Sequence, residues 1–566
     1  MRIHRLVSLS LLLATACSSE PPRPTEGVGA ISAEDRGRDE DGVGLTPVAA
    51  ANTKSPGVTS PNVYSPELFA TAVAQGSTPL ENPARVTLAD GTTVDLTHYG
   101  YNGNGPMLPA PGDVQSATHN VEATKTEPDK NTYLVLRGQH GADPGYDYGR
   151  HFLFQGHENG ARGVGFISRI NLDADDLHRV TLLASHDVAG NRIPTFDGST
   201  WDPFARRLLF TFEAGANGGV WQATLDFPSQ VEDISGAVGR GGYEGIQNDS
   251  DGNVWIVEDV GGPTGTVNRR ARQPNSFIYR YVPGDPGNLK EGKLQALQVI
   301  SLRTGQPIAF HAGQADADIL SPDVGDLHTY GKVFETHWVT LHDTAVDGTA
   351  PYSANALAKA KLATPFKRPE NGQFQPGSGF RRFFFDETGD TNALTEAGSG
   401  FGGFGGVFVL TQSEPSADHG TLALFYRGDL DHAGFDNVAF WDANRIVFVE
   451  DRGDTLHTQH NALDSAFLFD VRVDYSDPSH APIRIIAEGR DPSATIDSAL
   501  SGSPGFQNDG DNEITGIHVS NGDPGRDGLL GASIPRPFRD GWRVFFTQQH
   551  GDNATWEILR RNGDDD

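Results

Sequence analysis

One pattern of apolar and polar positions recurs along the chain. An apolar run of four to six residues ends on a polar or acidic pair and then glycine. It appears as HFLFQGHENG (151–160), RLLFTFEAG (207–215), NVWIVEDVGG (253–262), RRFFFDETGD (381–390), RIVFVEDRGD (445–454) and WRVFFTQQHGD (542–552). Short runs rich in β-branched and aromatic residues predict strands. Tight-turn signals precede several of them: Asp202-Pro203, Asp251-Gly252-Asn253, Asp442-Ala443-Asn444 and Asp540-Gly541. Six self-similar β units predict an all-β protein, a six-bladed β-propeller with long loop insertions such as 262–330 and 389–420. A β-sandwich with decorated loops is the alternative. Helix is confined to short pieces, NALAKAKLA (355–363) being the best candidate.

Side chains alternate along a strand, so Val254, Ile256 and Glu258 share one face and Trp255, Val257 and Asp259 the other. The same division separates Ile446, Phe448 and Glu450 from Val447, Val449 and Asp451. Strand ends that point at one axis would bring such carboxylates together, where they repel unless protonated or coordinated by cations. A multivalent metal centre resolves that conflict; the competing reading is that each pair opens a solvated loop.

Charge supports a cation-seeking protein. Acidic residues outnumber basic ones 74 to 44, for a formal charge of −30. Such a field repels nucleic acid and anionic membrane surfaces and attracts cations, although it also serves solubility. The N-terminus has Arg2, His4 and Arg5, an apolar stretch from Leu6 to Ala16, and then Cys17. This reads as a lipoprotein signal peptide over 1–17 with lipidated Cys17, since the apolar core is too short to span a bilayer. Cleavage nearby to give a secreted protein is the alternative. Cys17 is the sole cysteine, so the remainder has neither disulfide nor thiolate ligand. Residues 18–65 read as a disordered tether and 66–126 as an N-terminal extension packing on the body, with a hairpin at Asp90-Gly91. The propeller body occupies 127–566. The expected location is extracytoplasmic, lipid-anchored in the bacterial cell envelope, with Ser18 pointing to the outer membrane.

Taken in order, six stretches resemble the PhoX-type calcium-dependent alkaline phosphatases and uncharacterised propellers related to them. They are FLFQGHENG, STWDPFARRLLFTFEAG, GRGGYEGIQNDSDGNVWIVEDVGG, FKRPENGQF, FDNVAFWDANRIVFVEDRGD and DNEITGIHVSNGD with WRVFFTQQHGD, collinear from about 127 to 552. The resemblance implies a six-bladed propeller that hydrolyses phosphate monoesters at a metal centre. It further implies metal ligands at Glu158, Glu213, Glu244, Glu258, Glu370 and Asp451, with Glu450 beside Asp451 in the same acidic pair. It makes Arg368 of the Arg-Pro-Glu stretch a phosphate clamp and His157 a catalytic candidate beside it, with His157 and His550 lining the site. Hard calcium takes oxygen ligands, and a planar guanidinium can bind two phosphoryl oxygens. One departure matters: Phe212 stands where the family's iron-ligating cysteine is expected. That argues against iron and for several calcium ions, alone or with another divalent ion held by oxygen and His157. Arg2 and Arg5 are also separated, unlike the twin-arginine signals of the iron-dependent members.

Asn437 is a candidate side-chain carbonyl ligand. GSGFGGFGG (398–406) lacks the Lys-Ser/Thr of a nucleotide-binding loop and reads as a flexible insertion. His140, His151 and His457 read as solvated or locally hydrogen-bonded. Three functions remain open: a phosphohydrolase for a small phosphorylated substrate, a propeller esterase or lactonase, and a non-catalytic calcium-stabilised surface propeller. The chain reads as a monomer that meets the membrane only through its lipid. Arg368 separates the three, because only a phosphatase needs a cation aimed into the carboxylate cluster.

Overall fold

The computed structural model describes residues 44–48, 62–100, 126–158, 163–488, 513–549 and 553–561. Cys17, most of the expected tether and His550 lie outside them. Among the described residues the architecture is carried by strands, and no helix exceeds eight residues. The expected helix is present as Ala354–Ala360, with the Ser353 hydroxyl capping it by accepting from the Ala356 amide at 3.2 Å.

Among the described residues five sheets, antiparallel but for the pairing of Leu80 with Val180, are arranged in the manner of a propeller. Four are separate blades. Their innermost strands are Pro128–Val135, Ser199–Asp202, Phe435–Phe440 and Glu513–Ser520. The fifth is a nine-stranded sheet that runs from Tyr243–Asn248 to Gly372–Phe374 and curls into a nearly closed barrel, its two edge strands returning into contact. These six strands pack each against the next in a closed ring. Close approach around the ring leaves no room for side chains at some positions. A Cβ on Gly245 would lie 2.8 Å from the Glu370 carbonyl oxygen, and one on Gly516 would lie 2.9 Å from the Lys130 Cα.

Four blades and a barrel replace the six separate blades expected from the repeat. The cause is Val333–Asp343, an eleven-residue strand that pairs with Gly292–Val299 on one side and His419–Arg427 on the other. It fuses the outer strands of two repeat units into one ladder.

The continuous apolar runs follow from burial on both faces of each sheet. In Arg445–Glu450, Ile446 and Phe448 enter a core with Phe384, Val407 and Tyr426, whereas Val447 and Val449 enter another with Ile514 and Phe546. Val254 and Ile256 are divided from Trp255 and Val257 in the same way. Each such side chain contributes about 1.5–3 kcal/mol of burial free energy. Phe545 of the last sheet packs with Tyr133 and Leu153 of the first, completing the circle of cores.

The stretch ahead of the body supplies strands to it. Asn62–Tyr64 pairs with Ile483–Glu488, and Leu68–Ala74 pairs with Ala554–Arg560, Ala72 facing Trp556. Pro79–Thr87 and Thr93–His98 form the hairpin turning at Asp90-Gly91 and extend the first sheet.

Candidate metal centre

The innermost strands each begin at a carboxylate. Asp129, Glu244 and Asp436 are the second residues of their strands, Glu513 is the first of its strand, and Asp197 and Glu370 lie two positions before theirs. The second strands of the repeat end at another set: Glu158, Glu213, Asp259 and Asp451 each follow the last residue of a strand. Antiparallel register places the two sets at the same end, with Pro128 opposite His157, Tyr243 opposite Glu258 and Phe435 opposite Glu450.

Asp129, Glu158 and Asp197 each offer an oxygen, all within 4.8 Å of one another, and Asp197 makes an equally tight group with Glu213 and Glu244. Two groups that could each hold a cation therefore share Asp197. Gln549 donates through Nε2 to Glu158 Oε2 at 2.7 Å and to Asp129 Oδ2 at 3.2 Å, fixing both carboxylates. Next to them, Arg368 donates through Nε to Asp259 Oδ2 at 2.9 Å and approaches Glu370 Oε1 at 3.5 Å. Thr388 donates to the same Glu370 oxygen at 2.5 Å. Arg368 retains 23 % side-chain exposure and adopts a left-handed φ of 57°. Lys130, 1 % exposed, donates to Asn371 Oδ1 at 3.1 Å and feels the charges of Asp436, Asp129, Asp386 and Asp197.

Burial first, and then mutual repulsion, pushes Asp197, Glu244 and Asp436 well above the usual carboxylate range. Burial and the Asp259 charge do the same to Glu370, against the pull of Arg368. Burial and the charges of Asp259 and Glu158 push Glu213 up to about 9, and burial pushes Asp129 up to about 7. Burial lowers Lys130 to about 8 despite its acidic surroundings. Asp197 Oδ2, Asp259 Oδ1, Asp386 Oδ2, Asp436 Oδ2 and Asn437 Oδ1 are buried oxygens that accept no hydrogen bond. Orphaned buried acceptors are costly, and an all-oxygen donor set suits a hard divalent cation. The residues present thus fit a metal centre.

Of the sequence candidates, Glu158, Glu213, Glu244, Glu370 and Asp451 belong to this axial cluster, and Arg368 faces it, the Asp451 charge acting on Arg368. Three candidates are displaced from it. Glu258 accepts from Tyr279 Oη at 2.8 Å, the Phe277 amide at 3.2 Å and Asn355 at 3.1 Å, because alternation turns it toward the core holding Val254 and Ile256. Glu450 pairs with Arg452 at 2.6 Å for the same reason. In both acidic pairs the second residue reaches the axis. His157 is enclosed: it stacks on Phe166 at 3.8 Å, and its ring nitrogens bond Thr126 at 2.9 Å and Ser168 at 2.8 Å. Burial lowers its pKa far below the ordinary histidine value. Phe212 packs edge-on against Trp221 at 5.9 Å.

Asp129, Asp197 and Asp436 were missed, and of the Glu258-Asp259 pair the resemblance implies the glutamate as the ligand. A signal existed for the first-strand set: five of its six acids are followed within two residues by Asn or Gly, as in Asp129-Lys130-Asn131, Asp197-Gly198, Glu244-Gly245, Glu370-Asn371 and Asp436-Asn437.

No known protein family matches the sequence, and no curated protein is similar to it by sequence. Solved structures of similar architecture include PhoX of Pseudomonas fluorescens in complex with vanadate, a transition state analogue. It is 11 % identical over 91 % of this chain and 97 % of that one, with a TM-score of 0.48. A gluconolactonase of Xanthomonas campestris is 12 % identical over 81 % and 98 % of the two chains, with a TM-score of 0.32. The β-propeller domain of Cps50 (Swd1) from Myceliophteria thermophila is 10 % identical over 73 % and 94 %, with a TM-score of 0.31. Likeness at this level assigns no chemistry to the chain.

Proposed function

We propose that the chain is a calcium-dependent phosphohydrolase that cleaves small phosphate monoesters at the axial carboxylate centre, and that its barrel counts as two of six propeller units. The observation that carries this reading is Arg368. Its guanidinium is held by Asp259 at 2.9 Å beside Glu370, within the carboxylate cluster, and keeps part of its surface open. A left-handed φ on a non-glycine residue costs free energy, and such strain persists where surrounding structure enforces it. In a protein of charge −30, a guanidinium fixed in this position is suited to binding an incoming phosphate and stabilising charge as the ester bond breaks. Asp129, Glu158, Asp197, Glu213 and Glu244 would hold the cations, which when bound polarise phosphoryl oxygens. Asp259 and Glu370 orient Arg368, Thr388 fixes Glu370, and Gln549 fixes Glu158 and Asp129.

The test is hydrolysis of p-nitrophenyl phosphate by the purified chain with excess calcium, after chelation, and after add-back of calcium, manganese or iron. Turnover lost on chelation and restored by calcium is expected. Arg368→Ala should then lower kcat/KM by about 10²–10³-fold while leaving calcium-induced stabilisation in place. No turnover with any metal, with calcium still raising the Tm, would replace this reading by a binding or structural propeller. Hydrolysis of a lactone but not of the phosphate ester would replace it by a lactonase.

A further inference from the structure

A second group of ligand-bearing side chains lies in the outer strands of the barrel. His337 on Val333–Asp343 and His419 on His419–Arg427 are direct cross-strand partners. The neighbouring Trp338 amide donates to the Asp418 carbonyl at 3.0 Å, so 337 and 419 form the non-hydrogen-bonded kind of pair, whose side chains approach most closely. Their rings are 4.5 Å apart at 80°. Glu335, two residues before His337 and so on the same face, brings Oε1 to 3.2 Å from His337 Nε2. One ligand atom from each of the three lies within 4.8 Å of the others. On the other side of His337, Gln298 occupies the facing position and donates to the Lys361 and Leu362 carbonyls, which leaves the three ligands facing solvent.

We propose that Glu335, His337 and His419 form a site for a divalent transition metal of the zinc class, distinct from the axial centre, which clasps the two halves of the barrel. Two imidazole nitrogens and one carboxylate oxygen supply three of the four positions of tetrahedral zinc, leaving one for water or an exchangeable ligand. The donor chemistry separates the two centres. The axial set is all oxygen and suits hard calcium, whereas paired imidazoles suit zinc, copper or nickel. The position gives the site a consequence. The ladder joining 333–343 to 419–427 is the seam that fuses two repeat units, and a metal bridging it ties strands that the chain connects only through the long excursion between them.

The test is a zinc titration of the purified chain held in excess calcium, followed by a competing chromophoric chelator and by thermal unfolding. One zinc per chain is expected, with a zinc-dependent rise in Tm and, with cobalt in its place, the visible d–d bands of a tetrahedral site. Glu335→Gln should weaken binding by about tenfold or more, and His337→Asn with His419→Asn should abolish it together with the Tm rise. Circular dichroism and the zinc-free Tm of the variants establish that they fold. Zinc uptake unchanged in the double variant would overturn the proposal, and so would a wild-type site emptied by calcium. Neither result depends on hydrolytic activity, so this site and the axial reading fail separately.

Discussion

Lys367 and Arg368 are adjacent in sequence, yet the molecule treats their charges in opposite ways. Lys367 is locked to Asp390 at 3.0 Å with side-chain exposures of 2 % and 0 %. Arg452 with Glu450 at 2.6 Å and His457 with Asp464 at 3.0 Å are similar closed pairs. Arg368, by contrast, shares itself between Asp259 and Glu370 at the edge of a cluster whose carboxylates outnumber Arg368 and Lys130 several-fold. In the Lys367–Asp390 and Arg452–Glu450 pairs, buried charge is matched from within the chain. At the axis the carboxylates outnumber the cations of the chain, an arrangement that could take up cations from outside.

The most forceful way to break the comparison is to neutralise one carboxylate of each kind. Asp390→Asn strands a buried ammonium and should cost about 3–5 kcal/mol in denaturant unfolding, with calcium binding unchanged. Asp197→Asn should act with the opposite sign. It relieves repulsion, so the cation-free protein gains about 1 kcal/mol at about pH 8, while calcium-induced stabilisation collapses. Loss of stability in both variants would erase the distinction.

A smaller effect should appear with pH in the cation-free protein. Glu213 titrates at about 9 and Asp129 at about 7 in the folded chain, both above their ordinary values. A carboxylate raised in this way keeps its proton in the native state after the unfolded chain has released it. Its contribution is full below the unfolded value of about 4 and is lost as pH rises through the folded value. The Tm without cations should therefore fall between about pH 5 and about pH 9. Saturating calcium should flatten that fall, because binding replaces the protons. A cation-free Tm that rises over the same window would contradict the cluster.

The smallest effect separates the two members of one acidic pair. Glu258→Gln keeps the shape and most hydrogen bonds and should cost about 1 kcal/mol with calcium affinity intact. Asp259→Asn frees Arg368 and should reduce phosphate-ester turnover. Equal consequences in a calcium titration and activity assay would mean that alternation does not decide which carboxylate reaches the axis.

That pair also shows what could be seen in the sequence. The apolar runs marked the second strands, and the acids closing them marked the end of the sheet where the cluster lies. Which acid turned inward was hidden, because both faces of these strands are buried and the run has no polar side to orient it. Asp129 and Asp197 were hidden for another reason. They precede or open short strands, and their meaning arises only when strands distant in sequence are set side by side. The fused barrel rests likewise on the pairing of 333–343 with 419–427, for which no local pattern speaks. Arg368 was legible because it stood in a recognisable Arg-Pro-Glu stretch whose glutamate is in the cluster.

The pairing of Leu68–Ala74 with Ala554–Arg560 sets a timetable for assembly. Asn62–Tyr64 and Leu68–Ala74 both precede their partner strands by a long stretch of chain, so each ladder stays open-edged until a distant strand has been made. Contacts of such sequence separation form slowly, since the entropy of closing the loop is spent before the ladder forms. Through that interval Leu68–Ala74 is an unpaired edge strand, the kind of surface that recruits other chains. Completing the circle therefore does more than hold the cores in place; it retires an adhesive edge.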